Sequence, residues 1–146
     1  MPPACPKLLQ VVLDGTDIRS LAEFYRQLLG FDYRPGDEAP GPGEADPRGD
    51  DWLALRDPAG ARQMAFQKVA TLPASTWPDN ERVPQQLHLD LTVGTVRDLD
   101  AQHERALALG ARLVLDRSGD EEEPLRVYAD PAGHPFCILV MASGAT

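Results

Sequence analysis

Two side chains that can bind a cation stand at the start of matching apolar runs, Gln10 in QVVLD and His88 in HLDL. A carboxamide oxygen suits a hard or borderline cation, and imidazole is the commonest metal ligand in proteins. Side chains alternate along a strand, so Asp90 shares a face with His88 and is placed to orient the imidazole. The competing interpretation is structural: a core-edge amide for Gln10 and a hydrogen-bonded core histidine for His88.

A second group of residues is placed where it can line a cavity. Cys137, in FCILV, is either a thiolate ligand of the kind that zinc prefers or a small buried hydrophobe. Phe66 and Gln67 are neighbours on one predicted strand, and they line a cavity or pack in a core. Trp52 and Trp77 either wall a pocket or cap a core. The sequence leaves each of these alternatives open.

Both halves of the chain have the same order of predicted elements, which is a strand, a helix and three strands. Apolar residues at helical spacing predict helices over 18–29 and 96–109, each followed by a glycine. The first helix is capped by Thr16 or Asp17. Apolar runs bounded by turn residues predict strands at 7–14, 31–34, 51–56 and 62–69, and in the second half at 85–93, 111–116, 125–129 and 134–141.

The tetrapeptide DPAG occurs twice, at 57–60 and 130–133, each time between two predicted strands. The same turn in the same order of elements predicts an internal duplication of a βαβββ unit. One such unit cannot bury its sheet alone, so we expect a single pseudo-symmetric domain over 1–146. Its predicted parts are two modules at about 7–69 and 85–141 and a linker at 70–84.

The composition argues against several classes of function. The chain has 146 residues and a formal net charge of −9, which opposes binding to nucleic acid or to an anionic membrane. No apolar run reaches the roughly 18 residues that a membrane span needs. Two cysteines are too few for a disulfide framework, so we expect a reducing, cytoplasmic setting. The stretch 35–50, rich in Pro, Gly and acids, is predicted to be a solvated loop.

Several motifs resemble those of the vicinal oxygen chelate superfamily, which includes glyoxalase I, bleomycin-resistance proteins and extradiol dioxygenases. QVVLDGTDIRSLAEFYRQLLGF is similar to the start of its first module, HLDLTVGTVRDLDAQHERALALGARLV to the start of its second, and DPAGHPFCIL to the closing hairpin of the second. The resemblance implies an α+β fold of two βαβββ modules whose curved sheets form an open half-barrel with the site in its concavity. It also implies a homodimer.

The resemblance implies where a metal would bind. Metal-dependent members take one ligand from the first strand of each module, a His or Gln, and one from the last strand, commonly a Glu. Gln10 and His88 match the first-strand positions. Cys137 stands at one last-strand position, and the other falls within Gln63–Gln67, where no residue is a carboxylate. A divalent metal such as Zn, Ni, Mn or Fe would then be held by Gln10, His88 and Cys137.

The resemblance leaves three functions open. The missing carboxylates favour a bleomycin-resistance-like protein that binds a small organic molecule in the concavity. The retained Gln10 and His88 favour instead a metal-dependent lyase, isomerase or dioxygenase acting on a substrate with vicinal oxygens. The third is an interaction module with a vestigial pocket. For a binding or catalytic role we expect a pocket lined by Gln10, Trp52, Phe66, Gln67, His88, Asp90 and Cys137.

Overall fold

A computed structural model describes residues 2–141, and the ends of the predicted 1–146 domain lie outside them. The chain divides into two compact units, Met1–Ala70 and Thr71–Thr146. Neither helix within the described residues is long and apolar enough to cross a membrane.

The first unit contains one helix and a four-stranded sheet within its described residues. Its elements are β1 (Val11–Gly15), α1 (Ile18–Leu29), β2 (Asp32–Tyr33), β3 (Trp52–Arg56) and β4 (Arg62–Lys68). The sheet order is β1-β4-β3-β2, with β1 parallel to β4 and the other pairs antiparallel.

The second unit repeats this topology. Its elements are β5 (Leu89–Val93), α2 (Val96–Leu109), β6 (Arg112–Arg117), β7 (Leu125–Ala129) and β8 (Pro135–Val140). The sheet order is β5-β8-β7-β6, again with the first and last strands parallel. The predicted α+β class and the two βαβββ modules are therefore confirmed.

The helix boundaries follow from their caps. Of the two predicted caps of α1, Asp17 holds the position, and its side chain accepts a hydrogen bond from the backbone N–H of Ser20. The helix ends at Gly30, whose φ of 68° lies in the left-handed region that favours glycine. Thr95 caps α2 in the same way, accepting from the N–H of Asp98.

One face of each sheet packs against the helix of its own unit. In the first unit Phe66 stacks on Tyr25 of α1 with ring centroids 6.1 Å apart. In the second, Tyr128 hydrogen-bonds to the Nδ1 atom of His103 on α2 at 2.8 Å, and its ring stacks on Phe136. Because side chains alternate along a strand, the intervening residues lie on the opposite face, here called the helix-free face.

The two DPAG turns have the same hydrogen-bond pattern, which explains why the tetrapeptide recurs. In each copy one aspartate oxygen accepts from the backbone N–H groups two and four residues further on: Ala59 and Ala61 for Asp57, and Ala132 and His134 for Asp130. The fourth residue, Gly60 or Gly133, has a φ of 92° in both copies.

The stretch between β2 and β3 is predicted to be a solvated loop, but one of its side chains is buried and holds the loop against β3. The Asp37 side chain is completely buried. Its carboxylate accepts from Arg34 at 3.0 Å, Arg48 at 2.8 Å and the backbone N–H of Ala54 at 2.9 Å. A buried carboxylate is tolerated only when its charge and lone pairs are satisfied in this way. The loop is therefore tied to β3 rather than free in solvent.

Replacement of Asp37 tests this anchor. Asp37→Ala leaves two guanidinium groups and a buried N–H without their acceptor, so we expect unfolding free energy to fall by about 2–4 kcal/mol. Asp46→Ala is the matched control, because Asp46 lies in the same loop and pairs with Arg19 of α1 but remains partly exposed. Its cost should be about 1 kcal/mol or less. Chemical denaturation followed by circular dichroism measures both, and equal costs would show that Asp37 is no anchor.

Candidate functional site

Three side chains with metal-binding chemistry lie together on the helix-free face of the second sheet. Asp90 on β5 is the register partner of Cys137 on the parallel strand β8. His88, predicted within a strand over 85–93, lies just before β5, which begins at Leu89, and its side chain lies beside Asp90 on the same face. One ligand atom from each of the three residues lies within 4.8 Å of the other two. The Nε2 atom of His88 lies 3.3 Å from the Oδ1 atom of Asp90, which was predicted to orient the imidazole.

The His88 ring is held from three directions. Its Nε2 atom faces Asp90, and its Nδ1 atom lies 3.0 Å from the Oε1 atom of Gln85. The indole ring of Trp77 stacks on the imidazole, with centroids 5.3 Å apart and an interplanar angle of 9°. These contacts direct Nδ1 toward Gln85 and Nε2 toward Asp90.

The loop that carries Trp77 is fastened to the second DPAG turn. The N–H of Ser75 donates to the carbonyl oxygen of Gly133, and both the backbone N–H and the hydroxyl of Thr76 hydrogen-bond to the backbone of Val83. A Cβ atom built on Gly133 would lie only 2.6 Å from the Cβ of Ala74, so a side chain there would push the loop away. The second copy of the turn therefore also holds Trp77 against His88.

The Cys137 side chain is a buried neutral thiol. Only 6% of the residue is exposed. Burial, followed by the negative charge of Asp90 and a hydrogen bond to it, raises the pKa of the Cys137 thiol to about 11. At neutral pH the thiol donates its proton toward Asp90, and a metal ion would have to displace that proton in order to bind.

Gln10, predicted as a ligand, has another partner in the first unit. Its Oε1 atom accepts two hydrogen bonds from Arg62, at 3.0 Å from Nε and 2.7 Å from Nη2. The carboxamide oxygen is therefore already satisfied by a guanidinium group, whose positive charge opposes a cation at the same atom.

Phe66, Gln67 and Trp52 lie in the first unit and do not share one face. Phe66 is fully buried against α1, whereas Gln67 is exposed and is the register partner of half-buried Trp52 on β3. The alternation along β4 thus places Gln67 and Trp52 on the helix-free face and Phe66 in the core.

The register of β4 identifies the position equivalent to Cys137. Cys137 lies four residues after Gly133 of the second DPAG turn, and the same distance from Gly60 of the first turn leads to Met64. However, Arg56 pairs with Arg62 while Leu55 pairs with Met64, so β4 carries one extra residue at a bulge. The register partner of Val12 is Ala65, just as that of Asp90 is Cys137. The equivalents of the three clustered residues are therefore Gln10, Val12 and Ala65.

Two residues of the site were not among the predicted pocket residues. For Trp77 the sequence leaves open whether it walls a pocket or caps a core, and it gives no prediction for Gln85. A signal for Gln85 exists in QQLHLD, because a polar side chain three residues before a histidine can reach its ring. The contact of Trp77 depends on the path of a loop, which has no periodic pattern to read.

A family model described as the glyoxalase-like domain matches residues 10–139. The chain belongs to the glyoxalase-like domain family. No curated protein matches the glyoxalase-like sequence. The agreement of motifs, duplicated topology and family model also places the chain in the vicinal oxygen chelate superfamily.

Solved structures show the same fold at low sequence identity. A glyoxalase/bleomycin resistance protein/dioxygenase family enzyme from Burkholderia phytofirmans PsJN is 19% identical, with a TM-score of 0.62, 90% of this chain and 96% of that chain covered. The fosfomycin resistance protein FosX from Listeria monocytogenes is 14% identical, with a TM-score of 0.66. The alignment covers 96% of this chain and 97% of the FosX chain. A mutant of Listeria monocytogenes FosX, complexed with Mn(II) and 1S,2S-dihydroxypropylphosphonic acid, is 16% identical, with a TM-score of 0.62 and coverage of 92% and 90%.

The electrostatics of Cys137 can be tested by alkylation with iodoacetamide in a Cys5→Ser background, which removes the exposed thiol. We expect little labelling at neutral pH and a rise toward pH 11, because only the thiolate reacts. Asp90→Asn removes a negative charge that raises the pKa of Cys137, so the midpoint of the labelling rate against pH should move to lower pH. Asp98→Asn on α2 should leave this midpoint unchanged. Rapid labelling at pH 7 in the Cys5→Ser protein would contradict this assignment.

Proposed function

We propose that this glyoxalase-like protein binds a small organic molecule at the helix-free face of its second sheet, beside His88, Asp90, Cys137 and Trp77. The observation that carries the proposal is the parallel stack of Trp77 on His88 next to the exposed carboxylate of Asp90. Small-molecule sites combine aromatic surface with a few polar groups in fixed positions.

The orientation of these groups supports a ligand that is flat and can hydrogen-bond. The Asp90 side chain is 58% exposed, so its carboxylate is available to a donor group on a ligand. Gln85 and Trp77 fix the imidazole before any ligand arrives, which reduces the entropy that binding must overcome. Groups held in fixed positions in this way favour binding of a specific ligand over non-specific binding to apolar surface.

The second candidate function is that of a metal-dependent lyase, isomerase or dioxygenase acting on a substrate with vicinal oxygens. His88, Asp90 and Cys137 offer nitrogen, oxygen and sulfur ligands, which fit a borderline ion such as Zn²⁺. When bound, Zn, Ni, Mn or Fe would act as a Lewis acid on the substrate oxygens. The Mn(II) complex of the similar FosX mutant supports this candidate.

The oligomeric state and the cellular location of the protein are part of the same proposal. A homodimer is proposed from the superfamily resemblance, and a cytoplasmic location from the two free cysteines, Cys5 and Cys137.

Binding is tested by thermal shift with metal-free protein and a panel of planar heterocycles, amines, diols and keto acids. A ligand at a hundred times its Kd should stabilise the protein by about 2.7 kcal/mol, or roughly 5–10 °C in Tm. Trp77→Ala should abolish the shift, because it removes the ring stacked on His88. Trp52→Ala, which changes the other tryptophan, should leave it intact. A panel without any hit, or a shift that survives in Trp77→Ala, would count against the proposal.

A further inference from the structure

We propose that the second module alone builds a divalent-cation site, from the Nε2 atom of His88, the carboxylate of Asp90 and the Sγ atom of Cys137, and that Gln10 is not a ligand. The inference rests on the proposed function, since it concerns the same site, and it specifies the ion-binding form of that site.

The parallel pairing of β5 with β8 supplies the carboxylate that the last strand lacks. Cys137 stands where the superfamily resemblance implies a glutamate, so the sequence shows no acid there. Asp90, however, is the register partner of Cys137 on the neighbouring strand and lies on the same face. The anionic oxygen therefore comes from the adjacent strand, at nearly the same place in the site.

The orientation of His88 prepares its Nε2 atom for a cation. The Nδ1 atom of His88 lies 3.0 Å from the Oε1 atom of Gln85, and its Nε2 atom lies 3.3 Å from the Oδ1 atom of Asp90. A cation bound to Nε2 would lie beside this carboxylate and be attracted by its negative charge. Metal-binding histidines are commonly held by a hydrogen bond to the other ring nitrogen, which is the role that Gln85 has here.

The first module cannot contribute an equivalent set. At the positions equivalent to Asp90 and Cys137 it has Val12 and Ala65, which have no ligand atoms. Its remaining candidate, Gln10, gives its amide oxygen to Arg62. A cation there would have to displace a guanidinium group and then remain close to its charge.

The nitrogen, oxygen and sulfur ligands favour Zn²⁺, with Co²⁺ as its spectroscopic substitute. Binding forms a metal–sulfur bond and breaks the S–H bond of Cys137, whose proton passes to the solvent. Three protein ligands leave a coordination position open for water or for an oxygen of the organic ligand.

The test uses full-length protein purified without a polyhistidine tag, stripped with a chelator and titrated with Zn²⁺ and Co²⁺. We expect one ion per chain and a sulfur-to-cobalt charge-transfer band that disappears in Cys137→Ser. Asp90→Asn and His88→Ala should weaken binding at least about tenfold, because even loss of an outer-shell partner costs about 10–100-fold. Gln85→Leu should weaken binding as such an outer-shell partner, without loss of the band.

Two variants control the test. Gln10→Ala should bind as the unmodified protein does, and so should Glu104→Gln, which changes an exposed acid on α2. Loss of the ion in Gln10→Ala, retention in Asp90→Asn, or failure of the unmodified, folded protein to bind either ion would overturn the inference. A thermal shift with an organic ligand in stripped protein is independent of these outcomes. A failure of the metal site is thereby distinguished from a failure of the proposed function.

Discussion

The parallel pairing of the first and last strands of each module is the constraint on which the rest of the structure depends. In the second module this pairing sets Asp90 opposite Cys137, and His88, just before β5, lies beside Asp90. A shift of one residue would turn Asp90 toward α2 and leave a carboxylate in an apolar core. The apolar partners on the helix side, such as Leu89 with Phe136, therefore determine indirectly which polar groups meet on the other side.

The two modules show how a duplicated fold separates structural from chemical positions. The helix-facing residues and the DPAG turns serve the same purpose in both copies, because each copy must bury one sheet face and close one hairpin. The helix-free faces have diverged: one has Gln10, Val12 and Ala65, the other His88, Asp90 and Cys137. Packing of one face constrains the backbone but not the side chains of the opposite face.

The sequence predicted the helices and modules well, because their periodicity, caps and turn residues are local signals. Both helices have the predicted bounds, and the repeated turn indicated the duplication. The site was predicted only in part. The extra residue at Gln63 shifts β4 by one, and counting from a turn cannot detect a bulge. The burial of Asp37 and the contact of Trp77 with His88 depend on loop paths, which no repeating pattern encodes.

The first-strand positions of the two modules also acquire opposite electrostatic surroundings. Gln10 lies against the positively charged Arg62, whereas His88 lies against the negatively charged Asp90. Both are neutral ligand types by sequence, so their identity alone makes them equivalent candidates for a cation. Coulomb interactions over about 3 Å are strong in a partly desolvated site, and they favour a cation beside His88 and disfavour one beside Gln10. The choice between the two positions is therefore made by their neighbours rather than by the residues themselves.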